Sequence, residues 1–408
     1  MKKKLLIYSD NILFGGSEKV LANLAAFGPL AQTFELAFAF RDHPDYTPGA
    51  LRLNLPSFPL ELASKDSTYF KIAQKKWPKP LHRLAMAPVV LADRFGGSNP
   101  QNLARLTDFF LTQKPDLLLI NNGGYPGAKT CLTAAVAAKA AGVPKVVMMV
   151  NNLATRPRGT MEMERDAKVL AAVDRFVTAS KFAGKRLIEF RGVDPNRWLD
   201  LPNCLEEQER LLKADRQQAR ENLGLSEKGL VIGSAGHLTA RKGYSVLVEA
   251  LGLIKPLLEQ HSAQVVIIGE GEERHALESR LKELGLAERV KLPGFRPDAS
   301  KLLAALDIFV LPSVDFEDFP YVNLEAMCLG KPLVGTQVAG IPEQIEEGVN
   351  GLVVPPKDPK ALAQALETLV KDPKLCQGMG LSSKERFFRL YDYPKVMGRF
   401  LALFEELT

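Results

Sequence analysis

Two glutamates eight positions apart, Glu317 and Glu325, stand in the stretch IFVLPSVDFEDFPYVNLEAMCLGKPLVGT, residues 308–336. A carboxylate accepts hydrogen bonds from the paired hydroxyls of a sugar, each worth roughly 1.5–3 kcal/mol when charge-assisted and shielded from water. Glu317 falls in an acidic loop behind an apolar run that breaks at Pro312. Pro320 suits the first turn of a helix, which puts Glu325 in the second turn. The small or apolar Ala326, Met327 and Cys328 that follow are poor material for an ordinary exposed face. Free amides at Tyr321 and Val322, at the start of that helix, add donors. Solvated glutamates on a helix are the competing reading of the spacing alone. The trio Asp315, Glu317 and Asp318 has the composition of a metal-binding acidic motif, but it sits in the wrong kind of fold for one, and no metal is expected.

Cations of matching chemistry occur upstream. In GSAGHLTARKG, residues 233–243, a strand runs into a glycine-bearing turn at Gly236, and Arg241 and Lys242 precede Gly243 at a helix entrance. Positive charges there repel the positive end of the helix dipole, and a bound diphosphate turns that repulsion into attraction. The bland reading is a pair of solvated surface cations. Near the N-terminus, LFGGSEKV places Gly15 and Gly16 directly after the first strand, with Ser17 able to cap the next helix. Backbone amides at such a turn form an anion site, although a tight turn without ligand reads the same way.

The elements that must position these groups follow one rhythm. Strand-like runs (KLLIYS, ELAFAF, DLLLI, KVVMMV, RFVTAS, then LVIGSAG, QVVIIG, RVKLPG, IFVLPS, PLVGT and a shorter GLVVP) alternate with amphipathic helical stretches, the pattern of α/β units on parallel sheets. SEKVLANLAAF reads as a helix stopped at Gly28; later helices are expected around 243–259, 273–285 and 320–329. Residues 42–100, rich in proline and basic side chains, look like an insertion of loops and short helices. With 408 residues the chain exceeds one ordinary core. A hinge at about 198–203 precedes a charged helix at about 206–222, which gives domains of 1–198 and 199–385 and a C-terminal helical segment, 386–408, packing back on the first.

Hydrophobic residues at 46% and charged residues at 25% describe a globular chain, not a disordered or fibrous one. The apolar stretch behind the N-terminal lysines stops at Ser9-Asp10, short of a secretory signal, and no apolar run is long enough for a bilayer. Four scattered cysteines, with no CxxC pair, fit a reducing cytoplasm and argue against structural zinc. The net charge of +6 hides an asymmetry: residues 1–200 carry 28 Lys and Arg against 17 Asp and Glu, and the remainder 25 against 30. A basic first half suits an anionic partner, and a solvated basic face explains it equally. In 65–95, Lys71, Lys75, Lys76, Lys79 and Arg83 mix with Tyr69, Phe70 and Trp77, a composition for an anionic membrane surface or a lipid-linked or phosphorylated acceptor. RPRGTMEMER adds Arg156 and Arg158 on the acceptor side. The pI of about 9.0 alone suggests nucleic acid, and no reader motif accompanies it.

EDFPYVNLEAMCLGKPLVGT, AGIPEQIEEGVNGLVVPP and GHLTARKG together resemble the donor domain of the retaining, metal-independent GT-B glycosyltransferases, family four. The likeness covers nearly all of residues 229–370 and is weaker in the first half, at GGSEKVLANLA, DLLLI and VTASKF. It implies two Rossmann-like domains whose parallel sheets face across a cleft. It also implies transfer of a sugar from a nucleoside diphosphate sugar, UDP being favoured, to a hydroxyl acceptor in cell-envelope glycan or glycolipid synthesis, with no cofactor.

The resemblance assigns roles by position. Glu325 would hold the ribose hydroxyls and Glu317 would meet the donor sugar, with the loop residues Asp318, Phe319, Pro320, Tyr321 and Val322 beside it. Lys242 would neutralise the diphosphate near Gly236, residues Val290 to Gly294 would lie close to the base, and Gly16 would close over the phosphates. The chain departs from the pattern at three places. His237 stands where an arginine is usual, so Arg241 or a partly protonated His237 would compensate. Asn151 replaces a histidine near the donor sugar and cannot shuttle a proton. Asp318 replaces a glycine. A sugar-nucleotide epimerase or hydrolase, and a non-catalytic nucleotide-sugar binder, are the alternatives on the same scaffold; the first turns over without acceptor, the second releases no nucleoside diphosphate.

Overall fold

The computed structural model describes the chain apart from residues 1, 12–15, 64–77, 79, 82, 86, 88–99 and 123–124 and the side chains of residues 17 and 122. The chain divides into two compact units, Met1–Leu201 with Met397–Thr408, and Pro202–Val396.

Among the described residues the first unit is built on seven strands: β1 (Lys3–Ser9), β2 (Phe34–Arg41), β3 (Ser57–Leu60), β4 (Leu117–Asn122), β5 (Lys145–Val150), β6 (Arg175–Thr178) and β7 (Trp198–Asp200). They pair in parallel in the order β3-β2-β1-β4-β5-β6-β7. Runs such as Leu5–Tyr8 and Leu117–Ile120 are buried on both faces, which is why they read as continuous apolar segments rather than as alternating ones. β3 and β7 are short edge strands in stretches expected to be loop and hinge. Each takes its conformation from a longer neighbour, β2 or β6.

The last helix, Tyr393–Leu407, ends within this unit. There Phe404 meets Phe34 edge-on at 6.4 Å, and Arg399 donates to the Asp200 carbonyl at 2.6 Å. In the region expected as one C-terminal helix, a preceding helix runs Pro373–Leu390 and breaks at Tyr391 and Asp392.

The second unit carries six parallel strands: β8 (Val231–Ala235), β9 (Gln264–Ile268), β10 (Val290–Lys291), β11 (Ile308–Leu311), β12 (Leu333–Thr336) and β13 (Gly351–Val354). Their order is β10-β9-β8-β11-β12-β13. Its core packs Ile232, Val265 and Ile308 of the sheet with Leu247 and Leu251 of the helix Tyr244–Leu253 and Leu362, Leu366 and Leu369 of Pro359–Lys371. Both units are Rossmann-like.

Several helices differ from their sequence pattern for local reasons. The stretch 243–259 forms two helices, Tyr244–Leu253 and Lys255–Gln260, with Pro256 in the first turn of the second, where a missing N–H costs nothing. The charged stretch 206–222 also divides, into Gln208–Leu212 and Arg216–Asn222, because the Asp215 carboxylate caps the second by accepting from the Gln218 amide at 2.7 Å. A 3₁₀ turn, Gly16–Glu18, precedes the helix Lys19–Ala26, so the helix starts after Ser17, whose side chain lies outside the described residues. It stops at the extended Phe27, and Gly28 opens a further short helix instead of ending this one.

Candidate functional site

In the second sheet β8 and β11 are neighbours, and between them the strand order reverses: the chain moves outward through β9 and β10 on one side, β12 and β13 on the other. At such a switch point the loops at the carboxyl ends diverge and leave a crevice. The loops after β8 and β11 are tied together where the Val314 amide donates to the Arg241 carbonyl at 2.9 Å. Gly243 permits this approach. It sits at φ 68°, and a Cβ there would lie 2.1 Å from the Pro312 carbonyl oxygen. No other residue fits.

That tie brings three charged groups to one atom. Lys242, only 7% exposed, places Nζ 2.6 Å from Glu317 Oε2, and Arg241 Nη1 reaches the same oxygen at 2.7 Å. The Ser313 hydroxyl donates to it at 3.3 Å. Arg241 Nη1 also donates to the Phe316 carbonyl at 2.8 Å. Two cations thus converge on a single carboxylate oxygen.

The other residues of this unit singled out in the sequence lie along the same carboxyl edge. Asp318 and Phe319 are buried, and Pro320 precedes the helix Tyr321–Cys328. Glu325, in the second turn, is 8% exposed, so it is not on a solvated helix face. Two amides fix this segment: Asn203 donates to the Phe319 carbonyl at 2.8 Å, and Gln344 donates to the Pro320 carbonyl at 3.1 Å while accepting from Asn323 at 2.8 Å. The loops after β8 and β9 are zipped together by Gly236 N–H to Ile268 O and Leu238 N–H to Glu270 O, each 2.9 Å. His237 stands exposed in that zipper, its carbonyl accepting from the Thr239 amide. After β10, Gly294 turns at φ 81° beside Glu270, and the next residue, Phe295, is largely exposed.

In the first unit the equivalent switch point lies between β1 and β4. There Asn151, just after β5, donates to Asn121 Oδ1 at 2.5 Å, and Asn121 reaches Ser9 Oγ at 3.5 Å. Asp10 at the end of β1 forms a buried ion pair with Arg41 at the end of β2 and accepts from Thr130. No described atom lies within 4 Å of where a Gly16 side chain would start; Gly15 lies outside the described residues. Arg156 pairs with Glu189 at 3.0 Å and lies over the Phe190 ring at 4.3 Å. Arg158 is exposed and donates its amide to Glu162. Of the basic and aromatic surface expected in 65–95, Arg83 is described and exposed; Tyr69, Phe70, Lys71, Lys75, Lys76, Trp77 and Lys79 lie outside the described residues.

Sequence reasoning named Arg241, Lys242 and Glu317 without foreseeing that they neutralise one another. It missed Ser313, Phe316, Asn203 and Gln344. Ser313 was marked by its place one residue past Pro312 at the end of a strand; the two amides carried no local signal, since they act across 116 and 24 positions.

The family description "Glycosyl transferases group 1" matches residues 215–386, the stretch that holds Arg241, Lys242, Glu317 and Glu325. Residues 215–386 are a group 1 glycosyltransferase domain. An uncharacterized glycosyltransferase of Methanocaldococcus jannaschii is 33% identical over 179 residues, 43% of this chain and 45% of that protein. A lipopolysaccharide core biosynthesis glycosyltransferase of Rhizobium meliloti is 34% identical over 145 residues, 36% of this chain and 41% of that one. The chain thus spans about half the length of the curated relatives it matches. Over its whole length the fold is that of HepE from Anabaena, solved in complex with UDP: TM-score 0.77 at 20% identity, covering 99% of this chain and 100% of that one. Among the described residues no group of three or more His, Cys, Asp or Glu is placed to hold a metal ion, and no helix is long and apolar enough to cross a membrane.

Proposed function

We propose that this group 1 domain serves a retaining glycosyltransferase that moves a sugar from a UDP-sugar to a hydroxyl acceptor, and that it does so without a metal ion. The observation that carries the reading is the convergence of Lys242 and Arg241 on Glu317 Oε2 at the switch point. A diphosphate has several anionic oxygens to offer where Glu317 offers one, so it displaces the carboxylate from the cations. Glu317 is then released toward the hydroxyls of the sugar that the diphosphate carries. As the bond from the sugar to the leaving phosphate breaks, negative charge grows on the diphosphate. Lys242 and Arg241, already fixed by the loop tie, stabilise it without reorganising.

Glu325 accepts from the ribose hydroxyls in this reading, and the loop before the Tyr321–Cys328 helix lines the sugar. Gly236 gives the diphosphate close access to backbone, and the segment ending at Gly294 flanks the base. Arg241 takes the part of the usual arginine that His237 replaces. In the first unit Asn151 can hydrogen-bond but cannot transfer a proton. Retention, with the acceptor entering on the face that the phosphate leaves, is the reading the family supports. The acceptor belongs to cell-envelope glycan or glycolipid synthesis, a reading that the relative named for lipopolysaccharide core biosynthesis supports; the basic composition of residues 65–95 is what favours a lipid-linked or phosphorylated acceptor and a peripheral position on an anionic membrane. A panel of sugar nucleotides, screened by thermal stabilisation and then by nucleotide release with and without hydroxyl acceptors, tests the assignment. Acceptor-dependent release of UDP is the expected result. Release that ignores acceptor turns the assignment to a hydrolase, and binding without release turns it to a non-catalytic binder.

A further inference from the structure

Phe316 is placed at odds with folding stability. Its backbone lies at φ 40°, a left-handed region where a bulky L-residue is an outlier and glycine or asparagine is at ease. The conformation is held by two hydrogen bonds: Asp315 Oδ1 accepts the Phe316 amide at 2.9 Å, and the Phe316 carbonyl accepts from Arg241 Nη1 at 2.8 Å. A buried ring would offset that strain by packing, but this side chain is 45% exposed. Neither backbone nor core asks for phenylalanine here. A ring that gains its burial only when a ligand arrives explains the residue.

The ligand's chemistry follows from the neighbours. The next residue is Glu317, whose carboxylate bridges Lys242 and Arg241. Resting on the function proposed above, the group beside a diphosphate held by those cations is a sugar. A pyranose has a rim of hydroxyls, suited to a carboxylate, and a face of C–H groups, suited to the face of an aromatic ring. We infer that Phe316 is a pyranose-stacking residue, held out of the fold by its left-handed backbone so that its ring covers the apolar face of a sugar substrate whose hydroxyl rim meets Glu317.

The test is steady-state kinetics, with donor and acceptor varied separately, on wild type, Phe316→Gly, Phe316→Asn, Phe316→Tyr and Phe316→Trp. Glycine and asparagine keep the left-handed backbone and remove the ring, so they separate the ring's role from the backbone's. The ringless pair is expected to raise one sugar KM on the order of tenfold, with UDP affinity retained and Tm equal to wild type or higher. Tyrosine and tryptophan restore most of that loss. A rise in the donor KM assigns the platform to the transferred sugar, and a rise in the acceptor KM assigns it to a pyranose acceptor. Unchanged KM values in Phe316→Gly, or equal losses in Phe316→Gly and Phe316→Tyr, overturn the inference. A wild type that releases no nucleoside diphosphate overturns the proposed function and the platform with it; wild-type turnover beside an unaffected Phe316→Gly overturns the platform alone.

Discussion

Lys242 Nζ stands 2.6 Å from Glu317 Oε2, across 75 positions of sequence, and Arg241 reaches the same oxygen. The contact makes the two partners' substitutions act with opposite sign on nucleotide binding. Lys242→Met removes a shielded cation and is expected to weaken UDP binding about 10- to 100-fold, the range of one charge-assisted hydrogen bond. Glu317→Gln leaves both cations unpaired, so UDP binds as tightly as to wild type or more tightly while kcat falls roughly 100-fold or more. Calorimetric titration with UDP beside turnover measurements checks both. Weaker UDP binding in Glu317→Gln contradicts the competition between carboxylate and diphosphate.

Glu325 makes a narrower prediction. If its buried carboxylate accepts from the ribose hydroxyls, Glu325→Gln raises the donor KM about tenfold and loses the preference for UDP over its 2′,3′-dideoxy analogue. An intact preference in the variant removes Glu325 from the ribose.

Gly243 and Gly348 share a left-handed backbone, at φ 68° and φ 74°, but differ in surroundings. A Cβ at Gly243 collides with the Pro312 carbonyl at 2.1 Å, whereas nothing lies within 4 Å at Gly348. Gly348→Ala is expected to cost about 1 kcal/mol from backbone strain alone. Gly243→Ala adds the collision, for about 2 kcal/mol or more, and pulls apart the loops that carry Lys242 and Val314. Thermal unfolding of the two variants, read beside UDP affinity, distinguishes them; equal losses of stability contradict the loop tie.

Lys331 gives a pH signature away from the site. Its Nζ donates to the carbonyls of Ala304 and Leu306 at 3.0 and 2.6 Å, and burial pushes its pKa down from 10.5 to about 8. Between those values the unfolded chain holds a proton that the folded chain has released, so this group's contribution to stability rises with pH across the window. Relative to Lys331→Met, wild type should therefore gain about 1–3 kcal/mol between pH 7 and pH 10.5. Denaturant unfolding of the pair across that range checks it, and a flat or falling difference contradicts it.

Much of the sheet architecture was legible because both sheets are covered on two faces, so their strands appear as uninterrupted apolar runs. β3 and β7 escaped because an edge strand of three or four residues is set by its neighbour and not by its own sequence. Helix limits near Pro256 and Asp215 depended on one local hydrogen bond or its absence. At the site, residue types pointed to a diphosphate and a sugar, yet the meeting of Lys242 with Glu317 required the strand order, which no local spacing encodes. The left-handed Phe316 left no trace in sequence at all, since the usual sign of such a backbone is glycine, and here it is missing.

Titration of wild type and Lys242→Met with uridine, UMP and UDP isolates the grip on the diphosphate from every other contact. Wild type should bind UDP roughly 100-fold or more tightly than uridine, and Lys242→Met should lose at least about tenfold of that difference while binding uridine as before. Equal wild-type affinities for uridine and UDP, or a difference that survives Lys242→Met intact, would contradict it.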